Sequence, residues 1–380
     1  MKLKISKKPL SSVLTKMNKT IDAFPIINSL SYLKVTVKNE GVTILGSNNS
    51  VTIKYTLPAS EDVIVKEEGE VLVKYKELYS IVRSCDGDVI SFSTNDKNSL
   101  VRITGTKAKF KLNSIDVNEY PNIMFLSGDK SFEIPGAILN DAINMTSYTV
   151  STKETQPVLT GVHFVGTRDN LTLIATDRYR ITRTIVNDSA VDSPFKTTIA
   201  KEDLDSALQF LKDAEKVKIT ITERNVYFEC ENCVIQIKVL SGGYPNMDRI
   251  LVDRQGTLEV KVNTKDLMAV INRASILKDH EDIFVINANA NNEIVLSTDN
   301  DEVGSYEENI EDILGIEAND VKPDETLTVA LRLKHLSDAL KNSSNEEVKI
   351  KITGPRTPFY VFDENENVKR MSIIMPSAHR

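Results

Sequence analysis

One short pattern recurs six times along this chain and limits what it can fold into. A leucine is followed by apolar residues three and four positions later: Leu10-Val13-Leu14, Leu78-Ile81-Val82, Leu139-Ala142-Ile143, Leu204-Ala207-Leu208, Leu267-Val270-Ile271 and Leu336-Ala339-Leu340. Successive leading leucines lie 68, 61, 65, 63 and 69 residues apart. Positions i, i+3 and i+4 share one face of a helix, so each triplet predicts a short amphipathic helix with one buried stripe. A single triplet is near background. Six at nearly even spacing mark an internal repeat, and a repeat governs the whole architecture.

Between the triplets the apolar period changes to two, as in Val51-Thr52-Ile53-Lys54-Tyr55, Val217-Lys218-Ile219-Thr220-Ile221 and Val348-Lys349-Ile350-Lys351-Ile352. Such alternation, rich in β-branched residues, predicts strands with one buried face. Turn signals punctuate them at Asn39-Glu40-Gly41, Asp86-Gly87-Asp88, Arg168-Asp169-Asn170 and Asn289-Ala290-Asn291-Asn292. The repeat units also pair. A lead-in strand precedes every second helix, and its landmarks Ile5, Ile134 and Val262 are 129 and 128 residues apart. Glu119-Tyr120-Pro121-Asn122 and Gly243-Tyr244-Pro245-Asn246 close the first two pairs, 124 residues apart from proline to proline. The expected fold class is α+β, with three repeated domains at 1–127, 128–254 and 255–380, each holding two helices packed on antiparallel sheets. The expected boundaries are the polar, glycine-containing stretches Ser127-Gly128-Asp129 and Asp253-Arg254-Gln255-Gly256.

A chain of 380 residues that is 41% hydrophobic and 27% charged can bury a large core. No stretch approaches the ~20 apolar residues a membrane helix needs. Met1-Lys2-Leu3-Lys4-Ile5-Ser6 alternates polar and apolar residues, unlike a signal peptide. Three cysteines, Cys85, Cys230 and Cys233, make no disulfide framework and fit a reducing cytoplasm. The net charge of −7 argues against a polyanionic partner until the charges are placed. Residues 7–19, 74–83, 136–146, 201–212, 264–273 and 332–341, the six expected helices, together carry +7, which leaves −14 for the remainder. A basic helical surface on an acidic protein is the footprint of a polyanion track. The two central helices, at −1 each, do not follow that trend.

No convergent set of reactive groups is visible, so no enzyme, metal or cofactor is expected. His163, His280, His335 and His379 share no metal-ligand spacing. Cys230-Glu231-Asn232-Cys233 has no partner pair or nearby histidine for a site that needs about four ligands, and reads as a hairpin turn carrying two thiols. Phosphate loops, nucleophile elbows and His-Glu-x-x-His are absent from the sequence.

Leu159-Thr160-Gly161-Val162-His163-Phe164, followed by Leu173-Ile174-Ala175-Thr176-Asp177-Arg178-Tyr179-Arg180-Ile181, resembles the middle domain of bacterial DNA polymerase III β subunits, the β sliding clamps. Gly243-Tyr244-Pro245-Asn246 with Arg249-Ile250-Leu251 resembles that domain's closing segment, and Ile373-Ile374-Met375-Pro376 the family's terminal strand. The resemblance spans the chain in the family's domain order. It implies a non-catalytic processivity factor: a head-to-tail dimer closing a ring of six domains around duplex DNA, sequence-independently, in the cytoplasm. Implied partners are the DNA polymerase III catalytic subunit, the clamp loader and other proteins carrying clamp-binding motifs.

Carried over residue by residue, the resemblance implies a partner-peptide pocket of Leu159, Thr176, Arg178, Tyr179, Arg180, Ile181, Pro245, Arg249, Ile250, Ile373, Met375 and Pro376. Its chemistry would be an apolar hollow rimmed by arginines, suited to aliphatic and aromatic anchors; composition alone would make Leu159 and Ile250 core residues. Phe110 and Leu112 on one side and Ile276 and Leu277 on the other would form the dimer interface, and Lys7, Lys16, Lys76, Arg83, Lys153 and Lys201 would face DNA. The chain departs from the family at Arg178-Tyr179, where a small residue and a histidine are common, and at the tail Ser377-Ala378-His379-Arg380. It departs again at Ile21, often an arginine facing DNA, and at Lys153, usually polar. These departures fit a divergent, secondary or phage-encoded clamp as well as a chromosomal one. Two other readings stay open: a monomeric peptide-binding scaffold derived from a clamp, and a hydrolase without recognisable motifs.

Overall fold

Every leucine triplet lies on a helix in the computed structural model, which describes residues 1–22, 25–95, 98–125, 128, 130–153, 155–187, 189, 191–252, 258–277, 282–291, 293–300, 302–311, 313–319, 321 and 325–378. The helices are α1 (Lys7–Met17), α2 (Tyr75–Ser84), α3 (Gly136–Ser147), α4 (Lys201–Leu211), α5 (Thr264–Ala274) and α6 (Leu333–Lys341). Each turns its triplet inward: Leu14, Val82, Leu139, Leu204, Ile271 and Leu336 are all buried. A buried leucine at such a position contributes about 2–5 kcal/mol by the cost of truncating it to alanine. Five helices start where a strand ends, with no residue between, as at Lys2–Ser6 before α1 and Thr326–Arg332 before α6.

The observed helix ends correct the charge count. Lys19, Lys74, Lys212 and Arg332 fall outside the helices, so the helix charge is +3 rather than +7. Lys74 and Arg332 are the N-cap residues of α2 and α6, still in extended conformation.

The chain divides into two compact units. The first comprises 1–137 and 202–239. It contains a five-stranded antiparallel sheet ordered 63–67, 2–6, 89–94, 100–104, 109–113, and an eight-stranded sheet ordered 130–134, 217–221, 225–230, 233–238, 51–58, 41–47, 32–38, 69–74. The larger sheet is continuous from the amino-terminal stretch into the central one, because Cys233–Lys238 pairs with Val51–Pro58 and puts Ile235 opposite Ile53. Tyr75 on α2 donates its hydroxyl to Leu14 O on α1 at 2.9 Å and ties the two helices together. The turn expected at Asn39-Glu40-Gly41 joins 32–38 to 41–47. Gly41 has φ +145°, and a Cβ there would lie 2.2 Å from Leu57 O, so only glycine fits.

The second unit comprises 138–201 and 240–380. Its nine-stranded sheet runs 195–200, 161–166, 171–176, 180–186, 368–374, 359–364, 347–352, 258–263, 313–318, and a four-stranded sheet runs 304–309, 294–300, 283–289, 326–332. Leu267, Ile271, Phe284, Ile286, Leu296, Leu336, Leu340, Ile350, Phe359 and Ile374 belong to one buried core beneath α5 and α6. The expected boundary residues 127, 129 and 253–256 lie outside the described residues, as do His280, His379, Asn292 and Arg380. No helix among the described residues is long and apolar enough to cross a membrane.

Candidate peptide pocket and nucleic-acid face

Strands 171–176 and 180–186 are joined by Asp177-Arg178-Tyr179, a turn fixed by its own side chains. Buried Thr176 donates its hydroxyl to Arg180 O at 2.8 Å and accepts from Arg178 N at 3.1 Å. The Asp177 carboxylate accepts from Tyr179 N and Arg180 N, both at 3.0 Å, and from Arg180 Nε at 2.9 Å. Arg178 sits at φ +79°, a left-handed conformation that costs a non-glycine residue energy.

Arg180 points inward. Its guanidinium reaches Asp338 on α6 at 2.8 Å and Tyr148 O at 3.3 Å, and lies 5.6 Å from the Tyr148 ring centroid. Burial disfavours its charge, but Asp338 and Asp177 outweigh burial and raise its pKa above the ordinary arginine value. Its Nε and Nη1 are taken by carboxylates and its Nη2 by the Tyr148 carbonyl, so Arg180 holds the turn to α6 instead of rimming a hollow.

Ile181 faces Ile373 in register on strand 368–374, and both are buried in a cluster with Leu251, Tyr360 and Met371, flanked by Ile174, Met247 and Phe362. Met375 N donates to Tyr179 O at 2.9 Å and extends the pairing beyond the strand's end. Around this floor the apolar side chains of Tyr179, Ile250 and Met375 are 53%, 40% and 41% exposed. Arg178, Pro245 and Arg249 are exposed and Pro376 is half-buried. Ile250 is therefore not the core residue its composition suggests, whereas Leu159 is, buried in the turn Pro157–Thr160 that opens strand 161–166 of the same sheet.

Sequence reasoning missed several residues that shape this surface. The Tyr244 ring stacks on His163 with centroids 4.5 Å apart and planes 5° from parallel, which lays the Pro245 segment against the sheet. Burial, then Lys196, pushes the His163 pKa down to about 4, so the stacked ring is neutral. Arg332 places its guanidinium 5.5 Å from the Tyr179 ring centroid, and His335 lies 6.4 Å from it on the other contact. His335 is also held neutral, its pKa pushed down to about 4 by burial and then by Arg180. In the sequence Leu251 stands out only as part of the closing motif, and Met247 and Met371 do not stand out at all. Nothing local marks them as members of the buried cluster around Ile181 and Ile373.

In the first unit, Lys8, Ser11, Ser12, Thr15 and Lys16 recur at helical spacing on α1 and line, with Lys7 and Asp88, an open hollow of about 580 Å³. Hydroxyls and ammonium groups without an acid on the helix itself suit phosphate oxygens. Lys7 is partly committed: its ammonium donates to Arg83 O and Cys85 O at the end of α2, where carbonyls are left unpaired. Lys16 lies over the Phe210 ring at 5.6 Å. Lys76 and Arg83 are exposed on α2, Arg83 over the Tyr79 ring at 5.4 Å. Ile21 is buried and packs on Gly46, where a Cβ would come within 2.7 Å of Ile21 Cδ1, so it presents no side chain to a ligand. In the second unit Lys153 is exposed and Lys201 half-buried at the start of α4.

Strand Lys109–Asn113 is an outer strand of its sheet, with Phe110 and Leu112 half-buried. Ile276, just past α5, is 76% exposed and Leu277 half-buried. Strand Gly304–Asn309 is an outer strand of the four-stranded sheet.

Three consecutive family models match: the DNA polymerase III beta subunit N-terminal domain over residues 1–124, its central domain over 133–246 and its C-terminal domain over 250–378. The chain belongs to the DNA polymerase III β subunit family. The beta sliding clamp of Bacillus subtilis is 27% identical over 99% of both chains, and that of Halalkalibacterium halodurans 29% over 90% of both. A crystal structure of the DNA polymerase sliding clamp from Bacillus subtilis matches over the whole of both chains with a TM-score of 0.91 and 26% identity. The beta subunit from Streptococcus pyogenes shares the fold at a TM-score of 0.92. For a β subunit, the β sheet continuity is informative. Residues 161–200 of the central stretch join the carboxyl-terminal strands through 180–186 and 368–374, and this pairing sets Ile181 beside Ile373.

Proposed function

We propose that the chain is a DNA sliding clamp. It is a non-catalytic processivity subunit that encircles duplex DNA and tethers a DNA polymerase III catalytic subunit and other replication and repair proteins. The observation that carries this reading is the match of all three β-subunit domains in order. We assign the three domains to 1–127, 128–254 and 255–380, while the family models cover 1–124, 133–246 and 250–378, the last beginning inside the second assigned range.

Two copies close head to tail, the first domain of one against the third domain of the other. The outer strand with Phe110 and Leu112, and exposed Ile276 beside Leu277, support this assignment, since unpaired edges with apolar side chains are liabilities unless covered. Lys7, Lys16, Lys76, Arg83, Lys153 and Lys201 face the duplex. Phosphate contacts of this kind carry little sequence information, so the ring slides while its closure prevents escape. The floor of Ile181 and Ile373, the exposed Tyr179, Ile250 and Met375, and the arginines Arg178 and Arg249 receive client peptides with leucine and phenylalanine anchors. The protein works in the cytoplasm with the DNA it encircles and needs no cofactor for this task.

The test is topological. Loaded onto a closed circular plasmid by an ATP-driven clamp loader, the protein stays bound at moderate salt, survives nicking and is released by linearisation. Equal retention on circles and on linear DNA with free ends refutes sliding, and a monomeric mass near 42.4 kDa at micromolar concentration refutes ring closure.

A further inference from the structure

Cys230 and Cys233 are directly opposed partners that close the two-residue turn Glu231-Asn232 between strands 225–230 and 233–238. Opposed residues on antiparallel strands project to the same face, with Cα atoms about 4.5 or 5.5 Å apart, inside the roughly 4.4–6.8 Å span that a disulfide bridges. The turn is pinned from the neighbouring strand, because Thr56 N donates to Asn232 O at 2.8 Å and Tyr55 lies opposite Cys233. The two thiols are unequal. Cys230 is half-buried and reachable, whereas Cys233 is 2% exposed. Phe210 on α4 packs on Tyr55 at 5.8 Å, and Lys16 of α1 lies over the same Phe210 ring, which brings an ammonium to the edge of the pair.

We propose that Cys230 and Cys233 form a dithiol–disulfide site that reacts with low-molecular-weight disulfides, Cys230 as the attacking thiol and Cys233 as the resolving one. The charges favour this order. The Cys233 thiol hydrogen-bonds to the Cys230 sulfur and lowers its pKa against the opposing effect of burial, with Lys16 assisting. The same hydrogen bond, then burial, raises the pKa of Cys233. A thiolate reachable from solvent beside a cation, backed by a buried protonated thiol, is the arrangement that makes a cysteine reactive. Cys85 provides the contrast: it is 2% exposed and burial pushes its pKa up.

The chemistry proceeds in two exchanges. The Cys230 thiolate attacks one sulfur of the small disulfide RSSR, forms a mixed disulfide and expels RS⁻. Cys233 gives up its proton to the expelled thiolate and attacks the Cys230 sulfur, which expels the second RS⁻, protonated from solvent. Two protein thiols and one RSSR become one protein disulfide and two RSH. Closing the bond removes the negative charge beside Lys16.

The experiment uses the reduced full-length protein and glutathione disulfide at neutral pH, read by thiol count and by the mass of the tryptic peptide 225–238, which contains both cysteines. The expected product has lost two of the three thiols, weighs two hydrogens less in that peptide and carries no glutathione. Cys233→Ser should stop at a glutathione adduct on Cys230, and Cys230→Ser should leave Cys233 unmodified. Lys16→Ala should slow capture of Cys230 by roughly two- to fivefold, the loss of one nearby, partly screened charge. A lasting glutathione adduct on Cys230 in the unsubstituted chain, with Cys233 still reduced, overturns the proposal because the turn then cannot close. Oxidation of Cys85 as fast as the pair, or no reaction at Cys230, overturns it equally. The unsubstituted protein alone decides these points should a serine variant fail to fold.

Discussion

Replacing Arg180 with methionine separates the pocket turn from α6 while keeping most of the side-chain volume. The guanidinium serves Asp177 and Asp338 at 2.9 and 2.8 Å and Tyr148 O at 3.3 Å. A hydrogen bond to a charged group contributes about 1.5–3 kcal/mol, and breaking a buried ion pair from one side costs about 3–5 kcal/mol because the orphaned charge stays behind. The Asp177 and Asp338 side chains are 18% and 25% exposed, so each recovers some water once Arg180 is gone. The expected loss is therefore about 3 kcal/mol, at the lower end of that range. Urea unfolding measures it. Arg180→Met combined with Asp338→Leu removes one orphan and should recover about 1 kcal/mol or more of the loss. The same substitution frees the Asp177–Tyr179 turn and so the Tyr179 carbonyl that receives Met375 N. A peptide with leucine and phenylalanine anchors should then bind about tenfold more weakly, equivalent to ~1.4 kcal/mol. A stability loss under ~1 kcal/mol together with unchanged peptide affinity would show that Arg180 does not organise the pocket.

Ile276→Ala with Leu277→Ala should give a folded monomer by light scattering, each truncation costing about 2–5 kcal/mol of interface if buried; an intact dimer counts against this edge. Lys8→Ala with Lys16→Ala should weaken retention on short duplexes and flatten the dependence of log affinity on log salt by about two contacts, and an unchanged slope removes α1 from the phosphate track. His163 and His335 titrate near 4 when folded and near 6.5 when unfolded, so the unfolded chain binds more protons between those values. Stability should be complete above the unfolded value and fall by about 1–2 kcal/mol per histidine between roughly pH 7 and 5. A His163→Gln/His335→Gln variant whose urea midpoint still drops as steeply would assign the loss to other groups.

The fold was legible where period carries the information. All six helices were placed by their triplets, with ends within two residues of the structure. The hairpin turn at Gly41 and the connection from α2 to strand 89–94 at Gly87 were marked by glycines whose φ values are positive. What the sequence could not tell was which distant strands pair. Ile235 meets Ile53, and Ile181 meets Ile373, only because alternating apolar faces of similar length are available in each case. Alternation specifies a face but not a neighbour. The site suffers the same limit. Thr176 through Ile181 and Ile373 through Pro376 were named from motif resemblance, yet the inward turn of Arg180 depends on Asp338, a residue from α6 that no local pattern links to it.

Of the two acidic central helices that broke the charge trend in the sequence, α4 follows from helix electrostatics, whereas Asp141 of α3 lies outside that helix's first turn. α4 carries Glu202 and Asp203 in its first turn, where unpaired N–H groups and the helix dipole favour negative charge. Asp203 is 9% exposed, accepts from the Ser50 hydroxyl at 2.9 Å, and has its pKa raised by burial despite that bond. It acts as a fastening between α4 and the loop 48–50, not as part of a charged face. α1 is arranged in the opposite sense: no acid in its first turn, Lys16 in its last, and Lys8, Ser11, Ser12 and Thr15 between. Summing charges over whole helices therefore mixed end-stabilising acids with groups that face outward. Counted by face, α1 keeps a surface of lysines and hydroxyls although the six-helix total is only +3. A clamp of net charge −7 can still hold a phosphate backbone, because counterion release depends on the cations in contact and not on the charge of the whole chain.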